Sequence, residues 1–438
     1  MIQRYKKYKN SGVSWVEQIP EHWNIIPFKS LFTTSKGLNI TKNDLKDFGI
    51  PVISYGQIHS KDNKEVGINE TLFRYVSESY LQEGNNSLVN KGDFIFADTS
   101  EDIEGCGNFI YIDTQTNLFA GYHSIIVRNK KKDYSKYFAY LFKSIRWRQQ
   151  IQISVTGIKV FSITKRILTS TDLLIPPESE QQSIVLFLDR KCSQIDTYIS
   201  KKEREIELLK EWLLSKIANV VTKGLDHNIT MKESGISWIG KVPKHWEIKS
   251  LRNFIKLVSI KNHGDEQLLS VTREKGVIIR DTSSKEENHN FIPEDLSGYK
   301  FVVKGQFVIN KMKSWQGSYG VSQFTGIVSP AYYVCDLRFP YKEFFSIAIR
   351  SKVYIPFFTQ YSKGIRVDQW DLSPIALKTI PFVMPSIEEQ KAIVDHINKK
   401  KAKVDKMISS IQAEIYHLKE YKQSLISDVV TGKIKVCQ

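Results

Sequence analysis

Two long stretches of the chain carry apolar residues in a heptad pattern. From Gln181 to about Val221 there is no Gly or Pro, and Leu, Ile, Lys and Glu are frequent, which predicts one long helix. Its apolar positions form two seven-residue series, interrupted by Lys202 and Lys216: Leu188, Ile195 and Leu209, and Cys192, Ile199, Ile206, Leu213 and Val220. Such a seam is typical of a helix that packs on a partner helix.

The last segment of the chain repeats this pattern. Its two series, broken by Lys401 and Lys422, are Ile397, Val404, Ile411, Leu418 and Leu425, and Ile408, Ile415 and Val429. The simplest arrangement pairs the two seams as an antiparallel intramolecular coiled coil, and about 40 residues would then make a spacer on the order of 60 Å. The alternative is two separate amphipathic helices, each covering its own domain.

Short apolar runs between Gly, Asn and Asp turns predict strands in the remaining sequence. They are Ile50–Ile58, Asp93–Phe96, Asn108–Ile112, Ser124–Arg128, Gln267–Val271, Gln306–Ile309 and Ala331–Val334. Helical spacing of apolar residues predicts helices from Ser135 to Ile151 and from Glu343 to Val353. The fold class is therefore predicted to be α+β, with strand-rich domains.

Two motifs occur twice. The opening motif, Ser11-Gly-Val-Ser-Trp15 followed by Pro20-Glu-His-Trp23, returns as Ser234-Gly-Ile-Ser-Trp238 and Pro243-Lys-His-Trp246. The closing motif, Ile175 to Val185, returns as Met384 to Val394. We therefore expect a pseudo-twofold internal repeat with domains at residues 1–175 and 227–383, each followed by a helix, at 176–226 and 384–438.

Charge favours a protein that binds a polyanion, and cysteine spacing argues against a zinc-binding or disulfide-bonded protein. Lys and Arg number 63 against 47 Asp and Glu, a net charge of +16, which favours a polyanionic partner, although a basic surface can also serve solubility alone. The four cysteines lie far apart, which indicates reduced thiols and not a zinc cluster or a disulfide framework. No apolar run is long enough for a membrane span or a signal peptide, so we expect a soluble cytoplasmic protein.

The motifs of catalysis are incomplete. Gly105-Cys-Gly107 lacks the third glycine of a dinucleotide site, and Thr431-Gly-Lys433 lacks the rest of a P-loop. His22 and His245 are expected to cap or pack beside the neighbouring tryptophans. The sequence thus predicts a chain with no catalytic centre and no metal of its own.

Two loops are candidates for base recognition. The acidic segment Asp98, Thr99, Ser100, Glu101, Asp102 and the basic segment with Lys311, Lys313 and Trp315 follow equivalent predicted strands. Carboxylates accept from cytosine amino groups whereas Lys and Arg donate to guanine, so two different DNA sequences would require this change; surface drift is the alternative. Two Gly-containing turns add the candidates Lys159 and Arg366, with Arg166 nearby, which could bind phosphate or be solvated cations.

The paired order of opening motif, variable domain, closing motif and helix, found twice, resembles the specificity subunit of type I restriction-modification systems over the whole chain. The resemblance implies two target-recognition domains, each reading one half of a split double-stranded DNA sequence, with the helices setting the gap. It also implies a non-catalytic chain that docks two methyltransferase subunits and is joined by restriction subunits. S-adenosylmethionine, ATP and Mg would then belong to those partners.

The resemblance also makes the tryptophans of the opening motifs candidates for docking the methyltransferase subunits: Trp15, Trp23, Trp238 and Trp246. Packing of the same residues at the junction of domain and helix is the alternative. A coiled-coil adaptor that never touches DNA would explain the helices as well, but it would explain neither the basic charge nor the changed loops.

Overall fold

The computed structural model describes residues 3–63, 66–115, 117–131, 136–157, 159–281, 292–364 and 370–436. Their contacts divide the chain into two compact units, Met1–Lys202 with Ala413–Gln438, and Glu203–Gln412. Both long helices contribute residues to both units. None of the helices in the described ranges has an apolar stretch that could cross a membrane.

The two predicted long helices are confirmed. The central helix is Glu178–Lys223 and the C-terminal helix is Ile387–Val430. Seven predicted seam positions of the first unit are buried, and Leu418 is partly buried. The buried positions are Leu188, Cys192, Ile195, Ile199, Ile415, Leu425 and Val429. These side chains form the apolar contact that the heptad pattern predicts.

In the first unit the two helices run antiparallel. Lys422 donates to Asp196 at 2.7 Å between Nζ and Oδ1, and Lys202 Nζ lies 3.1 Å from Glu414 Oε2. The residue number rises along one helix as it falls along the other. In the second unit, Val220 and Val221 of the central helix share a buried core with Ile393 and Ile397 of the C-terminal helix.

The strands of the first unit form two four-stranded sheets and several two-stranded pairs. One sheet has the order 109–111, 94–97, 124–129, 32–36 and is antiparallel; the other has the order 74–76, 50–53, 118–120, 88–89, with 118–120 parallel to 50–53. The strands are Tyr8–Val13, Val16–Pro20, Asn24–Pro27, Phe32–Lys36, Ile50–Ile53, Arg74–Val76, Leu88–Val89, Phe94–Ala97, Thr99–Ser100, Phe109–Tyr111, Leu118–Ala120, Ser124–Asn129, Phe161–Ser162 and Asp172–Ile175. The short helices are Phe28–Leu31, Tyr55–Ile58, Tyr80–Glu83, Lys136–Lys143, Ile145–Ser154 and Lys165–Thr169.

The second unit repeats this topology. Its four-stranded antiparallel sheet has the order 319–321, 307–310, 332–337, 255–258, and a parallel bridge from Leu268 to Ile327 takes the place of the parallel pair of the first unit. The strands are Met231–Glu233, Lys241–Pro243, Glu247–Ser250, Ile255–Val258, Leu269–Thr272, Gly276–Ile279, Lys300–Val302, Phe307–Asn310, Tyr319–Val321, Gly326–Val328, Tyr332–Leu337, Ser362–Lys363, Asp371–Leu372 and Pro381–Met384. The short helices are Lys342–Ile349, Ile355–Tyr361 and Pro374–Thr379.

Three predicted elements are wrong in their extent. The predicted helix from Glu343 to Val353 is Lys342–Ile349 and ends four residues early. The predicted strand at 50–58 ends at Ile53, because Ser54 and Gln57 form a capping box that starts a helical turn at Tyr55–Ile58. The predicted helix from Ser135 to Ile151 is two helices. Ser144 separates them, since its hydroxyl accepts from the backbone N–H of Trp147 and caps the second helix.

Both long helices end at a glycine in the left-handed region, Gly224 and Gly432, each with φ of 75°. A Cβ at Gly432 would lie 2.4 Å from Pro20, and a Cβ at Gly224 would lie 3.3 Å from Trp246. The Thr431-Gly-Lys433 segment, which resembles part of a P-loop, is therefore a helix terminus packed on an opening motif.

Candidate nucleic-acid interface

The two candidate recognition loops occupy equivalent places in the two units. The first loop, Asp98–Asp102, follows strand Phe94–Ala97, and the second loop, Lys311–Trp315, follows strand Phe307–Asn310. The backbone N–H of Ile163 donates to the carbonyl of Asp98, and that of Leu372 donates to the carbonyl of Lys311, at 2.7 and 3.2 Å. One backbone frame thus carries an acidic loop in one unit and a basic loop in the other.

Most polar groups of the first loop bond within the domain. Asp98 Oδ1 lies 3.2 Å from Nδ1 of His123, and Ser100, which is buried, donates to the carbonyl of Asp102 at 2.7 Å. Asp102 Oδ1 accepts from the N–H of Gly105 at 2.5 Å. Glu101 is exposed and, among the described residues, its carboxylate makes no hydrogen bond or ion pair. Its carboxylate is the one best placed to meet an external ligand.

The first loop forms one wall of a groove of about 750 Å³. The groove is also lined by Tyr55, His59, Asn108 and His123, which the sequence reasoning missed. Tyr55 packs edge-to-face on the rings of His59 and His123, with centroids 6.3 and 5.6 Å apart. A Tyr or His directly after a buried strand was the only available signal, as in Ile53-Ser-Tyr55 and Ala120-Gly-Tyr-His123.

Arg148 ties the segment after the first loop to helix Ile145–Ser154. Its guanidinium donates to the backbone carbonyls of Glu104 and Cys106 and, at 2.8 Å, to Oδ1 of Asn108. Asn108 Nδ2 donates in turn to His59 Nδ1 at 3.1 Å, and His59 Nε2 lies 2.8 Å from the carbonyl oxygen of Thr99. This chain of hydrogen bonds fixes both sides of the groove.

The second loop has different chemistry. Lys311 Nζ lies 2.9 Å from Asp371 Oδ2, and this hydrogen bond raises the pKa of Lys311. Trp315 packs on Trp370 with centroids 5.0 Å apart, and its carbonyl accepts from the hydroxyl of Thr359. Lys313 is exposed. Because Lys311 is paired and Trp315 is packed, Lys313 is the cation of this loop most accessible to a ligand.

The remaining DNA-binding candidates are spread along the chain. Lys159 is exposed and adjoins Val160, which lines the groove of the first unit. Arg166 is exposed on helix Lys165–Thr169, which Thr164 caps. Arg366 lies outside the described residues.

The tryptophans of the opening motifs differ in exposure. Trp23 and Trp246 are fully buried, Trp15 is 6% exposed, and Trp238 is 39% exposed with its ring 4.8 Å from that of Phe357. Trp23 and Trp246 are therefore part of the domain interior. Trp238 is the docking candidate with accessible surface.

The buried tryptophans join the opening motif to the closing motif. In the first unit, Trp23 Nε1 donates to Glu180 Oε2 at 3.0 Å, and His22 Nε2 lies 2.6 Å from Glu180 Oε1. In the second unit, Trp246 and His245 contact Glu389 in the same way, each at 3.0 Å. Partial burial raises the pKa of each glutamate, but hydrogen bonds from Trp and His outweigh it and hold both pKa values below the usual range. The expectation that His22 and His245 pack beside their tryptophans is confirmed.

Comparison with known proteins agrees with this organisation. Residues 20–208 match the model of the type I restriction modification DNA specificity domain. The MjaVIII type I restriction enzyme specificity subunit of Methanocaldococcus jannaschii is 24% identical over 84% of this chain and 87% of that protein. The EcoKI specificity subunit of Escherichia coli K12 is 21% identical over 95% of this chain and 90% of that protein.

The fold also has a solved relative. A chain from a structural study of complex assembly and conformational transition of the type I R-M system superposes with a TM-score of 0.60. It is 13% identical in sequence, and the match covers 95% of this chain and 99% of that chain. The chain is similar along most of its length to specificity subunits of type I restriction-modification systems, and residues 20–208 match their DNA specificity domain.

Proposed function

We propose that this chain recognises a bipartite DNA sequence, with residues 1–175 reading one half-site and residues 227–383 reading the other. The observation that carries the proposal is the contrast between the two loops. The same strand, followed by the same backbone hydrogen bond, presents the Glu101 carboxylate in one unit and the Lys313 ammonium in the other. A duplicated frame with changed loop chemistry is what two different half-sites require.

The two long helices would set the length of the unread gap between the half-sites. This part of the proposal is supported by the buried heptad positions and, within the first unit, by the ion pairs Asp196–Lys422 and Lys202–Glu414. The helices also offer exposed apolar side chains, among them Trp212 and Met407, as surface for partner subunits.

Catalysis would belong to those partners, in the cytoplasm. We propose that the chain docks two methyltransferase subunits, which bind S-adenosylmethionine, and is joined by restriction subunits that use ATP and Mg. Trp238, with its accessible ring beside Phe357, is the opening-motif residue we expect at such a contact.

A matched pair of loop variants tests the proposal. Glu101→Gln and Lys313→Gln each remove one exposed charge, so both variants should fold. Each chain is expressed with its methyltransferase partners, and the methylated adenines are mapped across a genome. Each variant should relax its own half-site by about 10–100-fold in discrimination, the loss of one base contact, while the other half-site stays unchanged.

The alternative function is a coiled-coil adaptor without DNA contact. It predicts that neither variant alters the methylated sequence. A gel-shift assay with the full complex distinguishes the two functions independently. If the chain is only an adaptor, the affinity for duplex DNA is the same with and without it. A simultaneous change in both half-sites would also contradict a one-domain, one-half-site arrangement.

A further inference from the structure

The first unit contains a basic cavity that lies apart from the two recognition loops. Its volume is about 600 Å³, and it is formed by the hairpin of strands Tyr8–Val13 and Val16–Pro20, the start of helix Ile145–Ser154 and the segment after the C-terminal helix. Arg4, Arg146 and Lys433 line it, against the single carboxylate of Glu17. The wall therefore carries an excess of positive charge.

The two guanidinium groups of this cavity are available to bind a ligand. Arg4 and Arg146 are both exposed and make no ion pair or side-chain hydrogen bond within the described ranges. Lys433 Nζ lies 3.4 Å from Asp428 Oδ1, a partial compensation only, because the lysine remains 52% exposed. Two free planar donors and one ammonium can together meet three or more acceptor oxygens.

Trp15 lies in the same wall. It lines the cavity and is 6% exposed, but its indole nitrogen has almost no accessible surface, so the nitrogen does not face the cavity. The ring is therefore a reporter of ligand binding in the cavity and not a ligand itself.

The second unit keeps the frame but lacks the two arginines. In the register that matches Trp238 with Trp15, His227 stands where Arg4 stands in the first unit, and the helix Ile355–Tyr361, which follows the sheet as Ile145–Ser154 does, contains no Lys or Arg. Trp238, the counterpart of Trp15, is 39% exposed and packs on Phe357. The pair of arginines is therefore specific to the first unit and is not a requirement of the repeated fold.

We propose that this cavity is a phosphate-binding site, in which Arg4, Arg146 and Lys433 hold the oxygens beside the Trp15 ring. A carboxylate has two oxygens and would saturate one guanidinium, whereas a phosphate offers enough acceptors for both arginines and the lysine. The cavity is larger than one phosphate ion, so the group belongs to a larger molecule, either the backbone of DNA or a nucleotide. The site does not depend on base reading by the recognition loops.

The test is an NMR titration of the full-length chain, observing the indole N–H signals of its eight tryptophans. Trp15→Phe identifies the Trp15 signal. Inorganic phosphate should shift this signal saturably and leave Trp238, the matched internal control, unmoved. The double variant Arg4→Gln, Arg146→Gln should weaken binding by about tenfold or more, since two charge-assisted contacts are lost. Arg252→Gln, an exposed site in the second unit, should bind like the wild type.

Unchanged signals of the buried Trp23 and Trp147 show that the double variant is folded. Short duplex DNA and adenosine monophosphate then replace inorganic phosphate in separate arms, at equal phosphate concentration. A Trp15 shift that is stronger with the duplex identifies the DNA backbone as the source, and one that is stronger with the nucleotide identifies a small ligand. A Trp15 signal that does not respond to any of the three probes, or that responds equally in the double variant, overturns the proposal.

Discussion

Glu180 and Glu389 each receive a hydrogen bond from an indole that is fully buried. The two residues of each contact come from opposite ends of a domain, since Trp23 and Glu180 are separated by 157 residues and Trp246 and Glu389 by 143. The repeated opening and closing motifs are thus two halves of one structural junction. That explains why both motifs were retained when the loops between them changed.

Removing either carboxylate should destabilise its own unit. Glu180→Ala leaves the Trp23 N–H buried without an acceptor, which costs about 1–3 kcal/mol, and Glu389→Ala should do the same to the second unit. The controls are Glu178→Gln and Glu388→Gln, at exposed positions in the same helical turns. Hydrogen exchange, read separately for each unit, measures the effect.

The junction also predicts a pH dependence. Because the folded pKa of Glu180 is lowered, its stabilising effect is complete above the ordinary Glu pKa of about 4.3 and disappears as the pH falls through the lower folded pKa. The difference between wild type and Glu180→Ala should therefore shrink in strong acid. A difference that is constant with pH would argue against the ionised carboxylate.

Arg148 and Arg350 allow a second matched comparison. Arg350 donates to the carbonyls of Tyr319, Arg273 and Glu274 in the second unit, much as Arg148 donates to those of Glu104 and Cys106 in the first. Lys keeps the charge but lacks the planar fork. Arg148→Lys should speed hydrogen exchange at residues 103–108, and Arg350→Lys at residues 273–276, each by about tenfold. If both variants exchange amide hydrogens at the wild-type rate, the guanidinium hydrogen bonds do not order these turns.

At the residue scale the sequence predicts chemistry better than geometry. The acidic and basic loops are visible as residue types in equivalent frames, because a strand followed by a turn is a local pattern. The groove beside the first loop is not, since Tyr55, His59 and His123 belong to two different turns that only sheet pairing brings together. Nor does the sequence reveal that Asp371 pairs with Lys311, 60 residues away.

At the scale of elements the heptad pattern was the strongest signal. It depends only on local spacing, and two of the four lysines that interrupt it are paired: Lys202 with Glu414 and Lys422 with Asp196. Polar pairs in an apolar seam favour one register over others. The break at Ser144 was harder to predict, since a serine inside a helical pattern caps a new helix only where the backbone turns.

Lys143 ends helix Lys136–Lys143 against the C-terminal helix, where its carbonyl accepts from Gln423 Nε2 at 2.7 Å. Burial, and to a lesser extent the charge of Lys422, lowers the pKa of Lys143 to about 7. An unfolded lysine has a pKa of about 10.4, so between those values the unfolded chain binds more protons and stability rises with pH. At pH 7 the Lys143 amine is fully protonated in the unfolded chain but only partly protonated in the folded one, which lowers the free energy of unfolding.

Lys143→Met should therefore stabilise the first unit at pH 7 by about 1–3 kcal/mol, a gain that shrinks as the pH approaches 10. Thermal unfolding over a pH series measures it. Lys136→Met is the control at the other end of the same helix, where Nζ lies 2.8 Å from Asp189 Oδ2. The Lys136→Met variant should lose stability. If Lys143→Met also loses stability at pH 7, burial of the Lys143 amine does not destabilise the folded chain.

At the scale of the whole molecule, duplication is what the sequence establishes most directly. The repeated motifs predict two copies of one domain. The antiparallel four-stranded sheets of the two units have the same strand order, and a single parallel bridge in the second unit takes the place of the parallel strand pair of the first. The relation of the loops to the domain core required the structure, because the domains share few residues outside the motifs and their loops differ in length. A repeated motif can be recognised in the sequence, whereas the pairing of strands from distant segments cannot be predicted from it.

The proposed spacer role of the helices leads to the last prediction. Inserting one heptad into each long helix, after Lys202 and after Gln412, adds about 10.5 Å to each and keeps the apolar seam in phase on both sides of the insertion. At about 3.4 Å per base pair, the gap between the half-sites should grow by about three base pairs, while both half-sites stay the same. Mapping of methylated adenines measures the length of the gap. The control is a heptad inserted in one helix only, because it shifts the pairs Lys202–Glu414 and Asp196–Lys422 out of register with the rest of the seam. A gap of unchanged length in the double insertion, or half-sites that change with it, would show that the helices do not set the spacing.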